Sequence, residues 1–182
     1  MGIDTRKEKR LPPPAEAGGF RRIISMNTEI DIQNRGDYPL DADTLIQAIQ
    51  AVLLQENAAP SSAVSVVITD DAEIATLNQQ FRDVDGPTDV LSFPAEPLPA
   101  AIAEAQEERY LGDLVIAFPY ARAQAEREGH NLNASLTLLA VHGTLHLLGY
   151  DHDEPERKAA MWAAQAQALQ TLNIAIDIVP EG

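Results

Sequence analysis

Cysteine is absent from the 182 residues. That removes disulfides and thiolate-rich structural zinc sites, and it fits a reducing compartment. No apolar run approaches the length needed to span a bilayer, and the first residues lack the apolar stretch of a secretory signal. A cytoplasmic protein without membrane attachment is therefore expected. No internal repeat is visible. The length suits one well-buried domain and is short for two, and an apolar share of 45% is ordinary for a globular chain.

Basic residues are also scarce, and unevenly placed. The net charge is −15, yet Arg6, Lys7, Lys9, Arg10, Arg21 and Arg22 stand together near the start. The rest of the chain holds seven basic against twenty-five acidic side chains, a net of −18. Neutralisation of phosphate by Lys and Arg is the usual source of nucleic-acid affinity. A body this acidic needs a local basic cleft or a partner protein to hold RNA.

Residues 1–25 read as a disordered, basic, proline-rich tail. TRKEKR is followed by LPPPAEAGG without usable periodicity, and Met26 can serve as an alternative start. A single domain is expected over residues 26–175, with 176–182 as a C-terminal tail. Thr28–Gln33 alternates as a strand. Asp41–Gln55 has helical spacing with Asp41 or Asp43 as N-cap. Ala63–Thr69 is a β-branched run, hence a buried strand, and Asp71–Phe81 is a helix with Ile74, Leu77 and Phe81 on one face. Asp89–Phe93 reads as a short strand that Pro94 ends or places at an edge. Pro94–Glu108 reads as a long polar loop, and Tyr110–Phe118 as a strand. Pro119 suits the first turn of the next helix. Asn133 is expected to cap a helix running to Leu148, and Pro155 to open a last helix through about Leu172, packing around Met161 and Trp162. The order implies an α+β domain with a small mixed sheet.

Histidine is rare too, with four in all, and three of them fall within VHGTLHLLGYDHDE. His142 and His146 are four apart, one turn along one helix face. Gly149 is a natural helix stop that lets the chain bring His152 back. H-x-x-x-H-x-x-G-x-x-H is the ligand spacing of the metzincin zinc proteases, and it marks a zincin-like metal-binding helix. Three imidazoles leave a fourth tetrahedral position open, as catalytic zinc sites do, and zinc lowers the pKa of bound water towards about 7. One zinc per chain is expected. The glutamate that acts as base in those proteases is Gly143 here. Asp153 is assigned to N-capping the last helix, and Asp151 either handles protons or orients a ligand histidine. His130, in EGHNLN, reads as a solvated loop residue.

Two further segments extend the pattern. LNQQFRDVDGPTDVLSFP (77–94), LGDLVIA (111–117) and VHGTLHLLGYDHDE (141–154) resemble, in that order, the YbeY family of bacterial rRNA-processing metalloproteins, over essentially the whole domain from Met26. The resemblance implies a zinc-dependent endoribonuclease specific for single strands, acting in maturation of the 16S rRNA 3′ end and in ribosome quality control. Its substrate would be single-stranded rRNA, and its partners the ribosome or small-subunit ribosomal proteins and an assembly GTPase. It places His142, His146 and His152 as zinc ligands and assigns catalysis to Arg82 and His142. A guanidinium grips phosphate bidentately and stabilises charge on its oxygens; the alternative for Arg82 is a salt bridge to Asp83, Asp85 or Asp89. Asp89 and Ser92 either line the cleft or satisfy strand ends. Two other functions compete: a metalloprotease, suggested by the ligand spacing, and a ribosome-assembly binding factor whose metal is mainly structural.

Overall fold

The structure is a computed structural model that describes residues 19–25, 28–58, 61–106 and 108–175. Five strands form one sheet in the order β1-β2-β3-β5-β4. They are β1 (Gly19–Ser25), β2 (Thr28–Asn34), β3 (Ser62–Thr69), β4 (Val90–Pro94) and β5 (Arg109–Ala117). β2, β3 and β5 run parallel, while β1 and β4 are antiparallel edges. Among the described residues there are six helices: α1 (Ala42–Gln55), α2 (Asp71–Arg82), α3 (Ala100–Ala103), α4 (Phe118–Glu128), α5 (Leu132–Leu147) and α6 (Pro155–Thr171). The mixed sheet and late helices of the α+β expectation are present.

Alternation along the strands divides the core. Val64, Val66, Ile68, Leu114 and Ile116 point to one face, where α1, α5 and α6 bury Ile49, Leu139, Leu145, Met161 and Leu169. Val67, Val115 and Ala117 point to the other, under Ile74 and Leu77 of α2. Such a strict division follows from the two-residue period of a strand. α5 runs through the larger core and is buried from Leu136 to Leu145, the signature of a helix enclosed on all sides.

Several local expectations shift. β1 lies within the stretch read as tail and pairs with β2 from Gly19↔Asn34 to Ser25↔Thr28; residues 1–18, Met26 and 176–182 fall outside the described residues. The 94–108 loop contains the single-turn α3. Phe118 opens α4 instead of closing β5, because the buried ring stacks on Tyr38 at 4.9 Å and Pro119 follows it into the first turn. α1 is capped by Asp41, which accepts from the Asp43 N–H at 3.0 Å. α5 is capped by Asn131 rather than Asn133, with the Ala134 N–H donating to Asn131 Oδ1. Both asparagines suit a cap, and the left-handed turn at Gly129, which ends α4, sets which of them starts the next helix. No helix among the described residues is long and apolar enough to cross a membrane.

Candidate metal centre

The site begins with the C-terminal end of α5. His142 and His146 project from successive turns, and their Nε2 atoms lie 3.1 Å apart. The helix then stops at Gly149, whose φ of +95° is the left-handed conformation favoured by a residue without Cβ. The Gly149 N–H donates to the His146 carbonyl and the Tyr150 N–H to the Leu145 carbonyl, closing the helix end as a C-terminal glycine turn does. Tyr150 Oη donates to Glu56 Oε2 at 2.6 Å, which pins the turn to the end of α1. Asp151 accepts from the His152 N–H at 2.8 Å, and the chain folds back so that His152 faces the other two rings. Ring centroids are 5.6 Å from His142 to His152 and 5.1 Å from His146 to His152.

One ligand-type nitrogen from each of the three histidines lies within 4.8 Å of the others. The hydrogen bonds also set the tautomers. A carbonyl can only accept, so Nδ1 of His146 carries the proton it donates to the Tyr150 carbonyl at 2.9 Å. Nδ1 of His142 donates to Gln165 Oε1 of α6 at 3.0 Å. Both neutral rings therefore turn an Nε2 lone pair towards one point. Two lone pairs 3.1 Å apart repel unless a cation or a shared proton lies between them. Zinc–nitrogen bonds of about 2.0–2.1 Å at the tetrahedral angle set ligand nitrogens about 3.3 Å apart, so the donor set fits such an ion.

Electrostatics favour neutral imidazole. Burial pulls His142, only 6% exposed, down from 6.5 to about 4, against the Gln165 hydrogen bond that opposes the shift. Burial lowers His146 as well, opposed by its bond to Tyr150. A ligand already neutral in the folded protein does not have to lose a proton before binding metal.

The surroundings revise other expectations. A Cβ built on Gly143 would stand 2.8 Å from Leu114 Cδ2 and 3.2 Å from Ser92 Oγ. The position where a protease would carry its glutamate faces side chains of β4 and β5, and a side chain there requires the tip of Leu114 to move aside. Asp153 does not cap α6. Glu154 occupies that position without a side-chain bond, and Asp153 instead takes Arg157 Nη1 at 2.8 and 2.9 Å, since a guanidinium one turn ahead out-competes a backbone N–H. Asp151 orients the backbone of His152, and Arg157 Nη2 lies 3.8 Å from it. His130 is half-buried, 3.2 Å from Glu128, and lines a separate cavity of about 590 Å³ beside Asn131 and Thr137.

Arg82 ends α2, where Asp83 takes the left-handed conformation at φ +58°. No ion pair within 4 Å joins Arg82 to Asp83, Asp85 or Asp89 among the described residues. Its charge acts on Asp89, His142 and His146. Asp89 satisfies the start of β4, accepting from the Val90 N–H at 2.7 Å and from Thr88 Oγ1 at 3.2 Å. Gln165 belongs to no motif of the sequence. The available signal was an amide within the buried stripe Met161, Gln165, Ala168, Leu169 of an otherwise apolar helix face.

A family profile described as Endoribonuclease YbeY matches residues 30–173. The Endoribonuclease YbeY of Moorella thermoacetica is 44% identical over 148 residues, covering 78% of this chain and 95% of its own. That of Mycolicibacterium smegmatis is 40% identical over 144 residues, covering 78% and 81%. The solution structure of TM1509 from Thermotoga maritima aligns with a TM-score of 0.48 at 23% identity, over 83% of this chain and 98% of that one. With a matching profile over most of its length and relatives of this identity, the chain belongs to the YbeY family of endoribonucleases.

Proposed function

We propose that the protein is a zinc-dependent endoribonuclease for single-stranded RNA, acting on the 3′ end of 16S rRNA during maturation and quality control of the small ribosomal subunit. Small-subunit ribosomal proteins and an assembly GTPase are its partners in this reading. The observation that carries it is the placement of charge. Of the seven basic residues in the acidic body, three surround the histidines. Arg82 acts on His142 and His146, Arg157 binds the aspartates flanking His152, and Lys158 lies over Trp162, whose ring meets His142 and His152. Arg157 is balanced by those aspartates, which leaves Arg82 and Lys158 as the cations that meet a polyanion there.

His142, His146 and His152 hold the metal, with Gln165 and the Tyr150 carbonyl fixing two of the rings. Zinc bound there supplies Lewis acidity towards a phosphoryl oxygen and towards water. Arg82 clamps a non-bridging phosphate oxygen and stabilises the charge that develops on it. Glycine at position 143 leaves a protease without its base.

Zinc analysis of the purified protein, paired with cleavage of single-stranded RNA and of casein, tests the reading. About one zinc per chain and cleavage of RNA alone are expected, with both zinc and cleavage lost in His146→Ala. Stoichiometric zinc in that variant would remove the ligand assignment. Binding of RNA without cleavage by the zinc-loaded protein would favour the assembly-factor reading.

A further inference from the structure

Trp162 is the chain's only tryptophan, and it is not enclosed in the core. It sits on α6 one residue after the fully buried Met161, half-buried, at the rim of the metal centre. Its ring centroid is 5.7 Å from that of His152 and 6.1 Å from that of His142, with the planes near perpendicular. One face carries the Lys158 ammonium, 5.2 Å from the centroid. Lys158 is exposed and makes no ion pair within 4 Å among the described residues. Trp162 packs in part against the core, and its ring also carries the ammonium of the exposed, flexible Lys158 side chain.

We infer that Trp162 is a stacking platform for a nucleobase of the RNA held at the metal centre, with Lys158 moving from the ring to a backbone phosphate. The inference rests on the RNA-cleaving reading and adds the residue that seats a base next to the reacting phosphodiester. An aromatic face accepts any of the four bases, and stacking on it is compatible only with a base unpaired and splayed out. A duplex cannot offer one without melting. The platform thus supplies a physical source for single-strand preference that the three histidines and Arg82 do not contain. It also offers an acidic protein a grip on RNA that does not depend on net charge.

The single tryptophan makes the test direct. The zinc-loaded full-length protein is mixed with a single-stranded oligoribonucleotide, and separately with an abasic ribose-phosphate oligomer of equal length, while Trp162 emission is followed from the first milliseconds. Emission should change strongly with the base-bearing strand and little with the abasic one. Trp162→Leu should keep its zinc while KM for RNA rises about tenfold or more and kcat changes less, and Trp162→Phe should restore most of the loss. Unchanged emission with an oligomer that the protein goes on to cleave overturns the platform and leaves the nuclease standing. A wild-type KM in zinc-loaded Trp162→Leu does the same. Failure of the wild-type protein to bind or cleave any single strand removes the nuclease reading, and the platform with it. Emission is read on the wild-type chain, so this arm decides the matter even if a variant folds poorly.

Discussion

Arg82 stands amid aspartates with no ion pair to them within 4 Å among the described residues, and its charge acts on Asp89 as well as on His142 and His146. If it clamps phosphate, Arg82→Ala should retain zinc and fold while RNA cleavage falls on the order of 10²-fold, the effect of removing one preorganised oxyanion partner. Arg82→Lys should recover only part of this, because a point charge lacks the bidentate fork. Single-turnover cleavage beside zinc content checks both. Asp89 answers differently. Burial raises its carboxyl above the ordinary 3.8, with hydrogen bonds from Val90 and Thr88 and the Arg82 charge opposing. A carboxyl raised in the folded state costs nothing below its unfolded value, and its cost is fully present once pH has passed the folded one. Asp89→Asn keeps an acceptor for both donors and removes the charge. Its melting temperature should match wild type at about pH 3 and exceed it at about pH 7; an equal difference at both would remove burial of charge as the cause.

At the scale of elements, β1 matters most for the boundary of the domain. A seven-residue antiparallel ladder on β2 leaves β2 as an interior strand, whereas without β1 its outer N–H and C=O groups lose their partners. A chain beginning at Gly19 should melt within a few degrees of full length. One beginning at Met26 should fall by more than about 5 °C, the shift expected for a loss of one to a few kcal/mol in a domain of this size. Thermal denaturation of the two chains separates these outcomes. The stretch reads as tail because its neighbours, LPPPAEAGG, dominate the local composition; the strand in GFRRIIS is specified by the partner it pairs with more than by its own pattern. α3 is hidden in the same way, since one helical turn has too few residues to display a period. The long helices were legible because a buried face repeats every 3.6 residues over several turns.

Across the whole molecule, a net charge of −15 works against itself. Self-repulsion destabilises the compact state, and salt screens it. Added salt should therefore raise the melting temperature while weakening RNA binding. With Arg82 and Lys158 as the cations at the site unpaired among the described residues, and Arg157 held by Asp151 and Asp153, the slope of log affinity against log salt should be about −1.4, from the single-strand value of about −0.7 per phosphate contact. A much steeper slope would bring the basic cluster of residues 6–22 into the interface. Calorimetry and binding titrations over one salt series read both effects.

Sequence alone determined the grouping of three histidines that could hold a metal ion, because a four-residue step and a glycine turn are local geometry that survives in any fold placing HGTLHLLGYDH at a helix end. It also determined the major strands and helices, whose periods span many residues, and the family, whose motifs are contiguous strings. Only the tertiary structure decided what surrounds the histidines. Gln165 meets His142 across 23 positions, Tyr150 meets Glu56 across 94, and Gly143 faces side chains from two strands. Arg82 and Lys158 become neighbours of one site although they stand 76 positions apart in the chain. Contacts of that kind depend on how the layers pack, and no period or spacing along the chain encodes them.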